Sequence, residues 1–196
     1  MQRAVFIDRD GVICRNRKDH VKSWEEFVFL PGVLNALVRL SRSDFLVIVI
    51  TNQAIVNRGM VPVEVLEDIH RRMVRAVESV GGRIDRVLYC PHRPDENCGC
   101  RKPQPGLLLQ AAQEMGIHLS SSWLIGDALS DMVAARRAGC QRYMVLTGRG
   151  WQELVRCWKT GERGFRVALD LNGAVRSLLR MEPAPERVPV PVWDSR

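Results

Sequence analysis

Two uninterrupted apolar runs place the tightest constraint on the fold of this chain. Residues 4–7 read AVFI and residues 45–50 read FLVIVI, and polar residues follow each run directly. Neither run alternates with polar residues, and the second is rich in β-branched side chains. Such runs are typical of strands buried on both faces, as in parallel sheets covered by helices. We therefore expect a parallel sheet between two helical layers.

The rest of the chain alternates between strand-like and helix-like segments. Further strands are predicted at 84–90, 122–127 and 142–147. Helical spacing predicts helices at 31–42, 62–82, 105–116 and 130–140, the last with Ser130 as its N-cap. The alternation weakens after residue 150, and residues 166–179 predict a short strand and a closing helix. This order indicates an α/β, three-layer Rossmann-like fold, a parallel sheet with helices on both faces.

Length and composition favour one domain, which we place over residues 1–180. Residues 181–196 contain four prolines and are predicted to be a disordered or extended tail.

No apolar run approaches the roughly 20 residues of a membrane span, so no membrane partner is expected. The N-terminus lacks the apolar stretch of a secretory signal, which predicts a cytoplasmic location. The net charge of +7 is compatible with nucleic acid or with small anionic substrates.

Polar side chains follow three of the predicted strands. Ligands of open α/β sheets bind beyond the carboxyl ends of the strands, so these positions are the candidates for function. In chain order they are Asp8 and Asp10, then Thr51, Asn52 and Gln53, then Arg101 and Lys102, then Asp127 and Asp131.

The chemistry of this set suits phosphoryl transfer. Asp8, Asp10 and Asp127 would repel one another in one site, and a bound Mg²⁺ would relieve that repulsion. A carboxylate can attack phosphorus, and a second carboxylate nearby can give the leaving oxygen a proton. A strand-end aspartate is often only a turn former, but three polar clusters, each after an apolar strand, favour a site.

A cysteine and histidine cluster occupies residues 90–100. Cys90, His92, Cys98 and Cys100 form a Cys-x-His-x5-Cys-x-Cys pattern, the ligand set of a closed, structural Zn²⁺ site. The loop has no large apolar residue, so metal binding would supply the folding energy that it lacks. The alternative is a group of buried or redox-active thiols. A zinc site here would hold Arg101 and Lys102 at the mouth of the site.

Four segments, FIDRDGV, VIVITNQ, RKPQPG and IGDALSDMVAARRAG, resemble the four motifs of the haloacid dehalogenase superfamily of phosphatases. The cysteine loop before Arg-Lys-Pro is similar to that of the D-glycero-D-manno-heptose-1,7-bisphosphate 7-phosphatases and the histidinol-phosphatase domains. The resemblance covers residues 4–148. The short spacing between the first two motifs, and the single helix in residues 54–84, predict no large cap domain, only the small zinc-binding loop insert.

The resemblance implies a role for each candidate residue. Asp8 would be the nucleophile and Asp10 the general acid and base. Mg²⁺ would be held by Asp8, Asp127 and the backbone carbonyl of Asp10, with Asp131 as a more distant or alternative ligand. The remaining candidates would contact the phosphoryl group or the substrate: Thr51, Asn52, Gln53, Arg101 and Lys102.

The resemblance leaves several substrates open. A small sugar bisphosphate, D-glycero-D-manno-heptose 1,7-bisphosphate cleaved at its 7-phosphate, is favoured, with histidinol phosphate as an alternative. A nucleic-acid 3′-phosphatase is a third reading, but no aromatic and basic stretch for stacking bases is visible. A zinc-stabilised binding module without catalysis is disfavoured because both Asp8 and Asp10 are present. The enzyme is expected to be a monomer.

Overall fold

One six-stranded parallel sheet forms the centre of the molecule. A computed structural model describes residues 2–181; the segment 182–196, and with it nearly all of the predicted proline-rich tail, lies outside the described residues. The strands are β1 (Arg3–Ile7), β2 (Phe45–Asn52), β3 (Arg86–Cys90), β4 (Trp123–Gly126), β5 (Gln141–Val145) and β6 (Arg166–Ala168). Their order is β3-β2-β1-β4-β5-β6, with every neighbouring pair parallel. The predicted parallel sheet is confirmed.

Helices cover both faces of this sheet. They are α1 (Val33–Ser41), α2 (Val63–Glu78), α3 (Gly106–Met115), α4 (Leu129–Ala138), α5 (Gly150–Lys159) and α6 (Leu171–Met181). One apolar core joins the sheet to α1, α2 and α6, and a second joins it to α3 and α4. A smaller cluster places Cys157 of α5 against Met144 of β5. The three-layer architecture is therefore confirmed.

Two local features differ from the sequence prediction. Helix α4 begins at Leu129, so the prediction of Ser130 as its N-cap is wrong. The cap position is Ala128, whose N–H donates to the carboxylate of Asp131 at 3.0 Å. Helix α5 was not predicted, although Leu154 and Cys157 on its inner face are buried.

The strand register brings the polar strand ends together. Ile7 is paired with Val49 of β2 on one side and with Ile125 of β4 on the other. Asp8, which follows, donates its N–H to the carbonyl of Ile125 at 3.0 Å. The chain leaves β1 toward β2 and returns on the other side at β4, so Asp8 lies at the topological switch point, where such folds bind ligands.

None of the helices within residues 2–181 combines the length and the apolar character that crossing a bilayer requires.

Candidate active site

Lys102 lies at the centre of the polar cluster. Its Nζ is 2.8 Å from Asp8 Oδ1, 2.7 Å from Asp131 Oδ1 and 3.0 Å from the carbonyl oxygen of Ile50. The side chain is almost fully buried. Burial alone would lower the pKa of Lys102, but the charges of Asp131 and Asp8 outweigh it and raise that pKa. Lys102 is therefore a permanent cation beside the predicted nucleophile.

The carboxylates of Asp8, Asp127 and Asp131 form the acidic side of the cluster. One oxygen from each lies within 4.8 Å of the other two. With the ammonium of Lys102, the formal charge of the group is −3 + 1 = −2. A divalent cation would bring that charge to zero, and carboxylate oxygens are the ligands that Mg²⁺ prefers.

Asp127 gives the clearest sign that a cation belongs in this cluster. Its Oδ2 accepts a hydrogen bond from the N–H of Arg149 at 2.8 Å, while its Oδ1 is buried without a hydrogen-bond partner among the described residues. Burial, and then the charges of Asp8 and Asp131, raise the pKa of Asp127 to about 8. A bound Mg²⁺ would supply the missing partner and stabilise the ionised form. These residues fit the metal.

Asp8 occupies a crowded position next to Asp127. Burial raises the pKa of Asp8 to about 6, even though Lys102 favours its ionised form. Asp127 can approach the loop after β1 because residue 11 is a glycine: a Cβ on Gly11 would lie 2.3 Å from Asp127 Oδ2. The backbone of Gly11 also has a φ of +92°, in the left-handed region. Any other residue at this position would clash with the acidic cluster and strain the backbone.

The side chain of Asp10 lies outside the acidic cluster. Arg9 Nε donates to its Oδ2 at 3.1 Å, and Gln53 Nε2 donates to the same oxygen at 2.7 Å. Burial alone would raise the pKa of Asp10, but the charge of Arg9 and the hydrogen bond from Gln53 hold it below its ordinary value. The carboxylate is thus free of the cluster to act in proton transfer, and only its backbone carbonyl is implied as a metal ligand.

The residues at the end of β2 divide into two groups. Thr51 is buried, and its hydroxyl accepts a hydrogen bond from Gln53 Nε2 at 2.8 Å. Asn52 instead binds the backbone of Lys102, donating to its carbonyl at 3.0 Å and accepting from its N–H at 3.1 Å. The structure therefore places Thr51 and Gln53 beside Asp10, while Asn52 fixes the loop that carries Lys102.

The four predicted zinc ligands converge. The sulfur atoms of Cys90, Cys98 and Cys100 lie 3.1 to 3.5 Å apart, and His92 Nδ1 is 3.3 Å from the sulfur of Cys100. Four donors this close, with three thiols among them, match the contacts around one tetrahedral Zn²⁺. Burial raises the pKa of Cys90, so a metal would also be needed to hold its thiolate form. The residues fit zinc.

The zinc loop connects directly to Arg101. The Nη1 of Arg101 donates to the carbonyl of His92 at 3.0 Å, so the guanidinium is tied to the loop. Gly106 N–H donates to the carbonyl of Gly99 at 3.0 Å and attaches the same loop to the start of α3. The conformation of the cysteine loop therefore sets where Arg101 points.

Two buried residues beside Asp10, Arg9 and His70, were not among the predicted site residues. Arg9 contacts Asp10, and His70 contacts Arg9. Arg9 is fully buried, and His70 of α2 is nearly so. A signal for His70 exists in the sequence: it falls on the apolar face of α2, with Leu66, Ile69 and Met73. A histidine among buried apolar positions needs a polar partner.

Comparison with known proteins shows which family this chain resembles. The family model described as HAD-hydrolase-like matches residues 99–174. The D-glycero-beta-D-manno-heptose-1,7-bisphosphate 7-phosphatase of Pseudomonas aeruginosa is 41% identical over 92% of this chain and 100% of the relative. The enzyme of the same name from Bordetella bronchiseptica is 38% identical over 91% of this chain and 98% of the relative.

A solved structure agrees with the sequence relatives. The D,D-heptose 1,7-bisphosphate phosphatase from B. bronchiseptica, complexed with magnesium and phosphate, superposes with a TM-score of 0.87 and 37% identity. The match covers 92% of this chain and 100% of that chain. The predicted resemblance is confirmed: the chain belongs to the haloacid dehalogenase superfamily of phosphatases, in the family of the D-glycero-beta-D-manno-heptose-1,7-bisphosphate 7-phosphatases.

Proposed function

We propose that this enzyme is a Mg²⁺-dependent phosphatase that removes the 7-phosphate of D-glycero-beta-D-manno-heptose 1,7-bisphosphate through an aspartyl-phosphate. The names of the relatives at 41% and 38% identity support the substrate. One observation carries the chemistry: the buried ammonium of Lys102 touches Asp8 beside an Asp127 oxygen that lacks a hydrogen-bond partner among the described residues. A nucleophile, a fixed cation and a carboxylate oxygen suited to bind a metal therefore lie side by side.

In the first half of the reaction a carboxylate oxygen of Asp8 attacks phosphorus. The bond between phosphorus and the sugar oxygen breaks, and that oxygen takes a proton from Asp10. In the free site Arg9 and Gln53 hold the pKa of Asp10 below its ordinary value. The negative charge of a bound phosphate ester raises that pKa again, which allows Asp10 to carry the proton in the complex. Lys102 stays 2.8 Å from Asp8 and offsets negative charge on the phosphoryl oxygens. The hydroxyl of Thr51 is assigned to the same oxygens.

In the second half, water attacks the phosphorus of the aspartyl-phosphate. Asp10, now ionised, takes a proton from that water, and the phosphorus–oxygen bond to Asp8 breaks. Inorganic phosphate leaves, and the carboxylate of Asp8 and the protonated form of Asp10 are restored. Because Asp10 acts in both halves, the hydrogen bonds that orient it matter twice in each turnover.

The metal ligands we assign are Asp8, Asp127 and the backbone carbonyl of Asp10, with Asp131 as a further candidate. When bound there, Mg²⁺ would neutralise the charge of the carboxylates and of the phosphoryl group. Asp131 already contacts Lys102 at 2.7 Å, which supports a role in orienting that cation.

We assign zinc to Cys90, His92, Cys98 and Cys100 as a structural ion. The closed ligand set leaves no open position for water, and Arg101 is bonded to the carbonyl of His92. Arg101 is in turn assigned to substrate recognition, since a guanidinium matches phosphate geometry well. Asn52, through its two hydrogen bonds to Lys102, supports the other side of this loop.

The test is phosphate release with a panel of substrates. The purified enzyme, with Mg²⁺, is given the heptose bisphosphate, histidinol phosphate and a 3′-phosphorylated oligonucleotide, and ³¹P NMR identifies which sugar phosphate is lost. We expect a kcat/KM for the heptose bisphosphate at least about a hundredfold above the others, since recognition of a second phosphate by a charged site is worth several kcal/mol. A preference for histidinol phosphate or for the oligonucleotide would replace the substrate proposed here.

Two further properties stay predictions. We expect a monomer, which light scattering of the purified enzyme would check. We also expect a cytoplasmic location, because reduced zinc thiolates persist in a reducing compartment.

A further inference from the structure

A buried chain of contacts runs from α2 to Asp10. Arg9 is fully buried and His70 is 6% exposed. Arg9 Nη1 lies 2.9 Å from His70 Nε2. On its other side, Arg9 Nε is 3.1 Å from Asp10 Oδ2, and Nη2 is 3.2 Å from Asp10 Oδ1. The guanidinium thus joins a histidine to the carboxylate assigned to proton transfer.

The chemistry of the guanidinium fixes the state of the histidine. A guanidinium has only N–H donors and no acceptor, so Nε2 of His70 must be the acceptor in this contact. His70 is therefore neutral, with its remaining proton on Nδ1. Burial, and then the charge of Arg9, lower the pKa of His70 to about 3, so this form persists at every ordinary pH. The ring also lies 5.5 Å from that of Tyr89, which limits its rotation.

Both carboxylate oxygens of Asp10 depend on donors for their orientation. Oδ2 accepts from Arg9 and Gln53, and Oδ1 accepts from Arg9 and, at 3.6 Å, from the thiol of Cys14. Arg9 is the donor that touches both oxygens. The orientation of the Arg9 guanidinium is fixed at its other end by His70, which accepts a hydrogen bond from Nη1.

We propose that His70 is a positioning residue for the reaction: it holds the buried guanidinium of Arg9, which in turn orients the carboxylate of Asp10 toward the leaving oxygen. This inference rests on the role of Asp10 in the proposed function. His70 does not touch the substrate, and its effect passes through Arg9. Without an acceptor at this point, Arg9 Nη1 would be buried and unpaired, which favours a shift of the guanidinium and of the carboxylate with it.

The experiment compares two phosphate esters that differ in their need for a proton. A simple alkyl phosphate has a poor leaving group, whereas p-nitrophenyl phosphate releases a stable anion and needs little protonation. The rates compared are kcat/KM values, because kcat/KM reports cleavage of the ester and not the later hydrolysis of the aspartyl-phosphate that both esters share. His70→Leu should lower kcat/KM for the alkyl ester by about tenfold or more, part of the 10²–10⁴-fold that a positioned acid supplies. It should lower kcat/KM for p-nitrophenyl phosphate by less than about threefold.

Conservative variants separate positioning from folding. His70→Gln places an amide oxygen near the position of Nε2 and should restore the alkyl ester rate to within about threefold of wild type. His70→Asn is equally polar but too short to reach Arg9, so it should behave like His70→Leu. If His70→Leu does not fold, the comparison of Gln with Asn decides alone. Met73→Ala, one turn further on the same buried face of α2, is the control for lost packing and should leave the ratio of the two rates unchanged.

The outcomes distinguish this inference from the proposed function. Asp10→Asn should show the same selectivity for the alkyl ester, only larger. If Asp10→Asn is selective but His70→Leu and His70→Asn slow both esters equally, or neither, the positioning role of His70 is overturned and the role of Asp10 stands. If Asp10→Asn slows both esters equally, the acid role of Asp10 is overturned and the inference on His70 falls with it.

Discussion

Replacing Asp127 by asparagine should stabilise the metal-free protein while removing its activity. Asp127 is fully buried, its Oδ1 has no hydrogen-bond partner among the described residues, and its carboxylate lies next to those of Asp8 and Asp131. An asparagine keeps an oxygen for the N–H of Arg149 and replaces the unpartnered oxygen with an amide that can donate to Asp8. The substitution thus removes repulsion without leaving a cavity.

The size and the pH dependence of the effect follow from the pKa of Asp127. That pKa is about 8 in the folded protein, against 3.8 for a free side chain. Between these values the folded state binds more protons than the unfolded state, so the stability of the metal-free wild type falls as the pH rises from about 4 to about 8. At about 1.4 kcal/mol per pKa unit the upper limit is about 6 kcal/mol, and we expect about 2–4 kcal/mol, since replacing buried charges gives gains of that order.

Thermal unfolding in EDTA measures this effect. At pH 8, Asp127→Asn should raise Tm by roughly 5–10 °C, and at pH 5 the difference should shrink to a degree or two. Adding Mg²⁺ should stabilise the wild type more than the variant, since an amide is a weaker ligand. Asp170→Asn, which changes a carboxylate that caps α6 at Gly173, is the matched control and should give no such gain. A lower Tm for Asp127→Asn than for wild type at pH 8 in EDTA would refute the argument.

Three further predictions concern the site. Asp8→Asn should abolish turnover while Tm is retained, and activity within tenfold of wild type would remove Asp8 as the nucleophile. Lys102→Met should lower Tm in EDTA at pH 8 by roughly 6–15 °C, the equivalent of the 3–5 kcal/mol that a broken buried pair costs, and Mg²⁺ should recover part of it; an unchanged Tm would contradict the charge balance described above. Cys98→Ser should reduce zinc content and raise KM with little change in Mg²⁺ affinity, measured by elemental analysis and steady-state kinetics, and full zinc-free activity of the wild type would end the structural role of zinc.

The strands and most helices could be predicted because their signals are local. The runs at 4–7 and 45–50 are apolar throughout, and both became buried strands flanking one another in the sheet. Helix α5 was missed although its sequence carries the signal: Trp151, Leu154 and Trp158 recur at helical spacing on one face. The fold buries only part of that face, since Trp151 and Trp158 are 64% and 56% exposed while Leu154 is buried. The start of α4 was misjudged because a serine is a common N-cap, whereas here the carboxylate of Asp131 bonds back to Ala128.

The predicted site residues came from strand ends, and the parallel order of β2, β1 and β4 brought them together. Sequence position could not show how the side chains pair within that space. Asp10, two residues after Asp8, has its carboxylate turned toward Arg9 and Gln53, while Asp131, four residues after Asp127, joins Asp8 and Lys102. These choices depend on contacts between residues far apart in the chain, such as Lys102 and Asp8, which are 94 positions apart.

The position of Lys102 shows how the fold makes a reactive site from ordinary residues. Its backbone is held by Asn52 at the end of β2, and its Nζ is held by the carbonyl of Ile50 and by two carboxylates. An ammonium with these partners cannot turn to solvent, and its neighbours cannot lose it without leaving buried charge unpaired. With all three carboxylates ionised, the same arrangement leaves the cluster with a formal charge of −2, which a divalent cation would balance. Repulsion among these carboxylates lowers the free energy of unfolding of the metal-free protein. A bound cation removes that repulsion, so the same repulsion increases the affinity of the site for the metal.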